Sequence, residues 1–187
     1  YPSLVRLTQA TGDRRRLEFA AVRMEHVRRT FRRVCGSVAH TPASELLWCE
    51  TPAMFAPAAV AVGLATEDAL LVEEGLHCID RARELCFDPG LSLWVHGASE
   101  RWKCPVVWSR GQGWALYGIE GAMVLLPADH PAQERLRRYA CEILEGLRRT
   151  QDDEGLWHQV MDDPHSRTEL SGSCMFVSAF SRLARHG

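Results

Sequence analysis

"WSRGQGWALYGIEGAMVLLP", Trp108 to Pro127, sets one arginine among glycines and tryptophans, then runs on as an apolar segment whose single further charge is Glu120. A helix with no polar face has to be enclosed on every side, so its neighbours must carry the solvent-facing surface. One reading of its start is purely structural: the glycines make a tight loop, Trp108 and Trp114 belong to the core, and Arg110 caps a neighbouring element. The rest of the chain decides between that and a binding site.

Two other stretches share the design, a polar start marked by glycine or proline and then a helix of small and apolar residues. They are "LWCETPAMFAPAAVAVGLA" from Leu47 and "ELSGSCMFVSAFSRLARHG" from Glu169. Trp48 and Trp108 are 60 residues apart, and Gly111 and Gly172 are 61 apart. The first two are each followed by a turn and a charged amphipathic segment, "ALLVEEGLHCIDRAREL" and "AQERLRRYACEILEGLRR". Each of these leads into a loop with a shared signature, "DPGLSLWVHG" and "DDEGLWHQV", whose tryptophans Trp94 and Trp157 are 63 residues apart. The opening, Tyr1 to Phe31, reads as the tail of a first helix, a Thr-Gly-Asp turn and the outer helix of an earlier unit. A period near 60 residues, one buried helix and one amphipathic helix per unit, is the mark of a helical-hairpin repeat. The expected fold is all-α, with helical hairpins forming part of an α/α toroid and residues 1–187 making one domain of about three hairpins. No run alternates as a strand would.

Composition narrows the function. Residues 1–40 hold nine arginines against three acids, yet Leu17, Ala20, Met24, Val27, Phe31 and Val34 recur at helical spacing. The arginines therefore fall on the solvated back of an amphipathic helix, and no nucleic-acid partner is expected. The longest apolar run, Ala53 to Ala65, is too short for the roughly 17 residues of a bilayer span, so no membrane partner is expected either. Seven cysteines without a CxxC pair read as reduced thiols in a reducing, cytoplasmic compartment. Scattered histidines offer no metal set, and Gly111-Gln112-Gly113 follows no strand, so neither metal nor nucleotide cofactor is expected.

In a hairpin array the unusual polar residues, Glu50, His96 to Arg110 and His158 to Ser173, all lie between an outer helix and the next inner one. They gather at one end, where inner-helix N-termini favour an anion. The six tryptophans Trp48, Trp94, Trp102, Trp108, Trp114 and Trp157 are expected to line that end. Indoles stack on sugar rings, and an anionic sugar suits this inventory.

"WSRGQGW", "LLPADHP", "RTQDDEGLWHQVMDDP" and "ELSGSCMF", with "LWCETPAMFAP" and "LWVHG" upstream, resemble the unsaturated glucuronyl and rhamnogalacturonyl hydrolases, glycoside hydrolase families 88 and 105, and family 105 most closely. The resemblance implies an (α/α)6 toroid of roughly double this length, of which three to three and a half hairpins are present here. A half ring exposes its end hairpins, so self-association is a possible consequence. It implies hydration of the double bond of a 4,5-unsaturated uronyl residue at the end of a lyase-generated oligosaccharide. Glu50 stands where the family carries its catalytic Asp and is the expected general acid/base, with Thr51 as N-cap and Pro52 as first helical residue. Arg110 would bind the uronate carboxylate as a bidentate fork, Trp108 would stack on the ring, and His96 would hydrogen-bond substrate or water. Trp48, Gln112 (in place of the usual Asn), Trp114, His158 and Ser171 complete the expected pocket, with Glu169 shaping it. Residues 1–40 hold no counterpart of a second acidic residue known in the family. Two other readings stand beside this one: an inactive helical-repeat relative that serves as a binding module, or another α/α-toroid sugar enzyme, an epimerase or lyase, using His96 and His158.

Overall fold

The computed structural model describes residues 1–186. Helices α1 (Pro2–Thr11), α3 (Thr51–Thr66), α5 (Ser109–Leu125) and α7 (Leu170–His186) form an inner row. Helices α2 (Arg15–Thr30), α4 (Ala69–Cys86) and α6 (Ala132–Thr150) back the first three from outside. The hairpin order expected from the repeat is the order observed, and the architecture is the α/α toroid type.

The two rows differ in the way their sequences dictate. Buried residues of α3 run almost continuously from Ala58 to Gly63, and those of α5 include Gly111 to Gly113, Ala115, Leu116, Gly118 and Ile119. By contrast α6 buries Leu136, Ala140, Ile143 and Leu147, a single stripe at three- and four-residue spacing. Small residues set the inner-row separation: a Cβ on Gly118 would lie 2.7 Å from Pro52, and one on Gly121 would lie 2.7 Å from the ring of Pro57. Helix ends follow local chemistry. Gly12, left-handed at φ 71°, closes α1, and Asp68 starts α4 by accepting the Leu71 N–H at 3.0 Å. On α2, Leu17, Ala20 and Met24 are buried, and Arg28 and Arg29 pair with acids, so the arginine-rich start is the solvated face expected.

The all-α reading holds, with minor ladders beside the helices: β1 (Arg33–Val34) pairs with β2 (Ser37–Val38), β3 (Leu47–Trp48) with β6 (Gly97–Ala98), and β4 (Phe87–Asp88) with β5 (Leu93–Trp94). Each is two residues long, too short to leave a period in the sequence. One expectation is corrected at the start of α3, where Glu50 is the N-cap and Thr51 is already helical. The Thr51 hydroxyl is held by the Trp48 N–H at 3.2 Å, facing back down the loop instead of capping.

At one end of the array α6 and α7 leave an apolar groove of about 550 Å³ lined by Met123, Leu144, Trp157, Phe180 and Leu183. Exposed Leu7 and Phe19 mark the opposite end. No helix among the described residues is long and apolar enough to cross a membrane.

Candidate functional site

The short ladders bring distant loops together. Register pairs Leu47 with Ala98 and Trp48 with Gly97, and the ladder continues with Cys49 N–H on the His96 carbonyl at 3.0 Å. Glu50, one residue on, therefore stands beside His96, and their side chains meet: His96 Nε2 lies 3.2 Å from Glu50 Oε2. A second seam joins the loop before α5 to the segment after Trp157, through Ser109 N–H on Gln159 O at 3.0 Å and Met161 N–H on Val107 O at 2.9 Å. A third, Glu169 N–H on Trp157 O at 2.7 Å, draws in the start of α7.

The result is one continuous line of side chains across three inner-helix mouths. His96 is wedged between the indoles of Trp48 and Trp108, with ring centroids 4.7 and 4.9 Å away. Arg110 lays its guanidinium over Trp108 at 4.2 Å from the ring centre. Its Nη1 also reaches Glu169 Oε1 at 3.2 Å. Glu169 accepts the Gly172 N–H at 2.6 Å and the Ser171 hydroxyl as well. Burial alone would raise the Glu169 carboxyl, but Ser171, the Gly172 N–H and Arg110 together hold it below its ordinary value of 4.5. It is an anion built into the mouth of α7.

Beneath Glu50 sits Cys49, fully buried, with its sulfur 3.9 Å from Glu50 Oε2. Burial first, then the Glu50 carboxylate, pushes this thiol well above its usual range, so it stays neutral and acts as a weak donor. Gly111 is required here by close approach, since a Cβ would fall 2.7 Å from that sulfur. The Glu50 and His96 side chains remain partly open, at 21% and 33% exposure. They are dry enough to interact and wet enough to meet a ligand.

Not every expected residue joins this line. Gln112 is fully buried, and its amide bridges the Trp94 backbone, accepting the N–H at 2.8 Å and donating to the carbonyl at 2.6 Å. His158 turns to the Ser166 carbonyl and to Asp152, 3.7 Å away. Trp114 packs edge-on to Tyr117 at 5.9 Å, on its own helix. Ser171 touches the line through Glu169. The expectation of six tryptophans at one open end is corrected: Trp94 and Trp157 are core, the latter donating its indole N–H to Leu147 O at 2.8 Å and packing on Phe176. Their apolar loops are buried by the ladders that the sequence did not reveal. The Glu169 contact with Arg110 was also not legible in spacing, because the two are 59 residues apart. The acid in "ELSGS", ahead of a helix, was the available signal.

The profile of Glycosyl Hydrolase Family 88 matches residues 2–187. The chain belongs to this family. Among curated relatives, the unsaturated rhamnogalacturonyl hydrolase YesR of Bacillus subtilis is 29% identical over 187 residues, covering 95% of this chain and 54% of the relative. An Agrobacterium fabrum protein, Atu3128, is 35% identical over 144 residues, 70% of this chain and 61% of its own length. Among solved structures, a possible GH105 family member from Klebsiella pneumoniae superposes with a TM-score of 0.89 at 25% identity, over 98% of this chain and 51% of the other. The unsaturated glucuronyl hydrolase of Bacillus sp. GL1 shares the fold at a TM-score of 0.78 and 14% identity, over 98% and 53%. This family 88 chain thus spans about half the length of the relatives it matches.

Proposed function

We propose that this chain hydrates the double bond of a 4,5-unsaturated uronyl residue and so releases it from an oligosaccharide in the cytoplasm. The observation that carries the reading is the Glu50–His96 contact of 3.2 Å at the mouth of α3, flanked by two indoles and followed by Arg110. In the reaction, protonated Glu50 gives its proton to C4 of the enol ether, and positive charge develops at C5. Water adds to C5 and returns a proton to the Glu50 carboxylate. The resulting hemiketal opens by breaking the C5–O5 bond, and the exposed hemiacetal at C1 then expels the sugar alcohol. No net acid is consumed, and the bond order lost at C4–C5 is recovered in the ketone.

His96 positions the Glu50 carboxyl and offers a second hydrogen-bonding group to the incoming water. Arg110 supplies charge for the uronate carboxylate, and Trp48 and Trp108 supply apolar walls. Gln112 acts through the Trp94 backbone as a support for this loop. The scattered thiols of the chain fit a reducing compartment.

Incubation with lyase-generated unsaturated disaccharide tests the reading, following loss of ultraviolet absorbance from the conjugated uronate. Decay in the wild-type chain that Glu50→Gln abolishes is the expected result. A folded wild-type chain that leaves the absorbance unchanged would refute it.

A further inference from the structure

The hairpin that begins at His96 carries an indole that the reaction does not use. Trp102 is 49% exposed, and among the described residues it makes no ring contact. Its position is set by register. Ala98 bridges Lys103 in antiparallel fashion, Cys104 N–H bonds to Gly97 O at 2.9 Å, and Ser99 N–H bonds to Trp102 O at 2.7 Å. Gly97 is thus opposite Cys104, and Ser99 is opposite Trp102.

Directly opposed residues share a face of a sheet, and so do residues two apart on one strand. Gly97, Ser99 and Trp102 therefore lie on one face. Trp48 is the cross-strand partner of Gly97 on the other side, and it occupies the same face: a Cβ on Gly97 would fall 2.9 Å from the Trp48 ring. Gly97 is bare so that Trp48 can lie across it. The small sheet thus presents two indoles on one face. Trp48 is the nearer, against His96, and Trp102 is two strands across and two residues along. Strand spacing of about 4.8 Å and a rise of about 3.4 Å put their Cα atoms about 12 Å apart. Two long aromatic side chains on that baseline can serve two consecutive sugar rings. The hairpin is fixed for this use by Lys103, whose Nζ donates to Phe87 O at 2.7 Å.

We propose that Trp102 is the stacking platform for the pyranose that follows the unsaturated uronate, so that the chain grips its oligosaccharide over two rings. This rests on the hydrolase reading for the identity of the first ring. The ligand is a neutral or acidic pyranose that offers its apolar C–H face to the indole.

The test compares wild type, Trp102→Ala and Trp102→Phe on two probes: the unsaturated uronyl disaccharide, and the same uronate as its methyl glycoside, which has no second ring. Steady-state rates are measured in each protein, and equilibrium binding in a Glu50→Gln background. Circular dichroism melting verifies that the variants fold. The ratio of disaccharide to methyl glycoside in kcat/KM should drop about tenfold in Trp102→Ala, through KM, with Trp102→Phe restoring part of it. Equal losses on both probes, or no loss on either, would overturn the platform. Length-dependent binding that needs Trp102, without turnover by any folded protein, would uphold the platform and sink the hydrolase reading. Turnover with no length dependence, or absence of binding to both probes, would overturn the platform.

Discussion

Replacing Glu50 with aspartate, the residue that the resemblance implies for this position, should harm this chain. The substitution removes one methylene and withdraws the carboxyl by about one carbon–carbon bond, ~1.5 Å. The 3.2 Å contact with His96 Nε2 would open to roughly 4.5 Å, outside hydrogen-bond range. His96 cannot follow, because Trp48 and Trp108 hold its ring from both sides. A displacement on that scale costs on the order of a hundredfold in rate, about 2.7 kcal/mol of transition-state stabilisation. The assay is the kcat/KM of Glu50→Asp on the unsaturated disaccharide, with Glu50→Gln as the floor.

A double-mutant cycle with His96→Ala separates reach from chemistry. If His96 sets the position of the carboxyl, shortening the side chain costs little once the imidazole is gone. Equal or faster turnover by Glu50→Asp in the presence of His96 would refute the reasoning, and so would strictly additive losses. Either result would mean that the carboxyl works from a place this contact does not determine.

Other parts of the site and fold give further tests. Glu169→Gln should lower stability by about 2 kcal/mol at neutral pH in urea unfolding. Because the folded carboxyl sits below its ordinary 4.5, its contribution is complete above that pH and is lost as pH falls through the depressed value, so the difference between wild type and variant should close in acid. Gln112→Asn is too short to bridge both Trp94 backbone groups and should cost about 1–3 kcal/mol, read as a lower melting temperature. Gly121→Val would press a branched side chain onto Pro57, where even a Cβ is at 2.7 Å, and should cost about 1–3 kcal/mol by the same measurement. Of the thiols, exposed Cys141 and Cys174 should label readily, whereas Cys78 and Cys86, pushed up to about 12 by burial, should label only on unfolding.

The hairpin order was legible because burial on every side and burial on one side leave different patterns, as in Ala58–Gly63 against Leu136–Leu147. The cluster of Glu50, His96, Trp108 and Arg110 was legible for a topological reason, since a hairpin repeat returns every loop from an outer helix to the next inner helix to the same end. What escaped were contacts made by isolated backbone pairs. A two-residue strand has no period, so the ladder that seats Trp48 on Gly97 is invisible until the chain is folded. Its consequences were invisible with it. The interior positions of Trp94 and Trp157, and the structural use of Gln112, both follow from loops that fold inward under those ladders.

The arrangement of Arg110 carries a further consequence for binding. Its guanidinium is engaged twice, by the Glu169 carboxylate at 3.2 Å and by the face of Trp108. On the proposed hydrolase reading, a uronate carboxylate would not meet a bare cation; it would share one whose charge is already partly answered. That lowers the attraction for any anion, but it also keeps the fork in place, and an ordered donor loses less entropy on binding. Glu169 has two further donors, Ser171 and the Gly172 N–H, so it stays satisfied if Arg110 turns toward substrate. Removing Glu169 would free the charge and lose the geometry. On that reading, such a restrained arginine would favour a carboxylate held at one angle, as on a flattened unsaturated ring, where a mobile one would not discriminate.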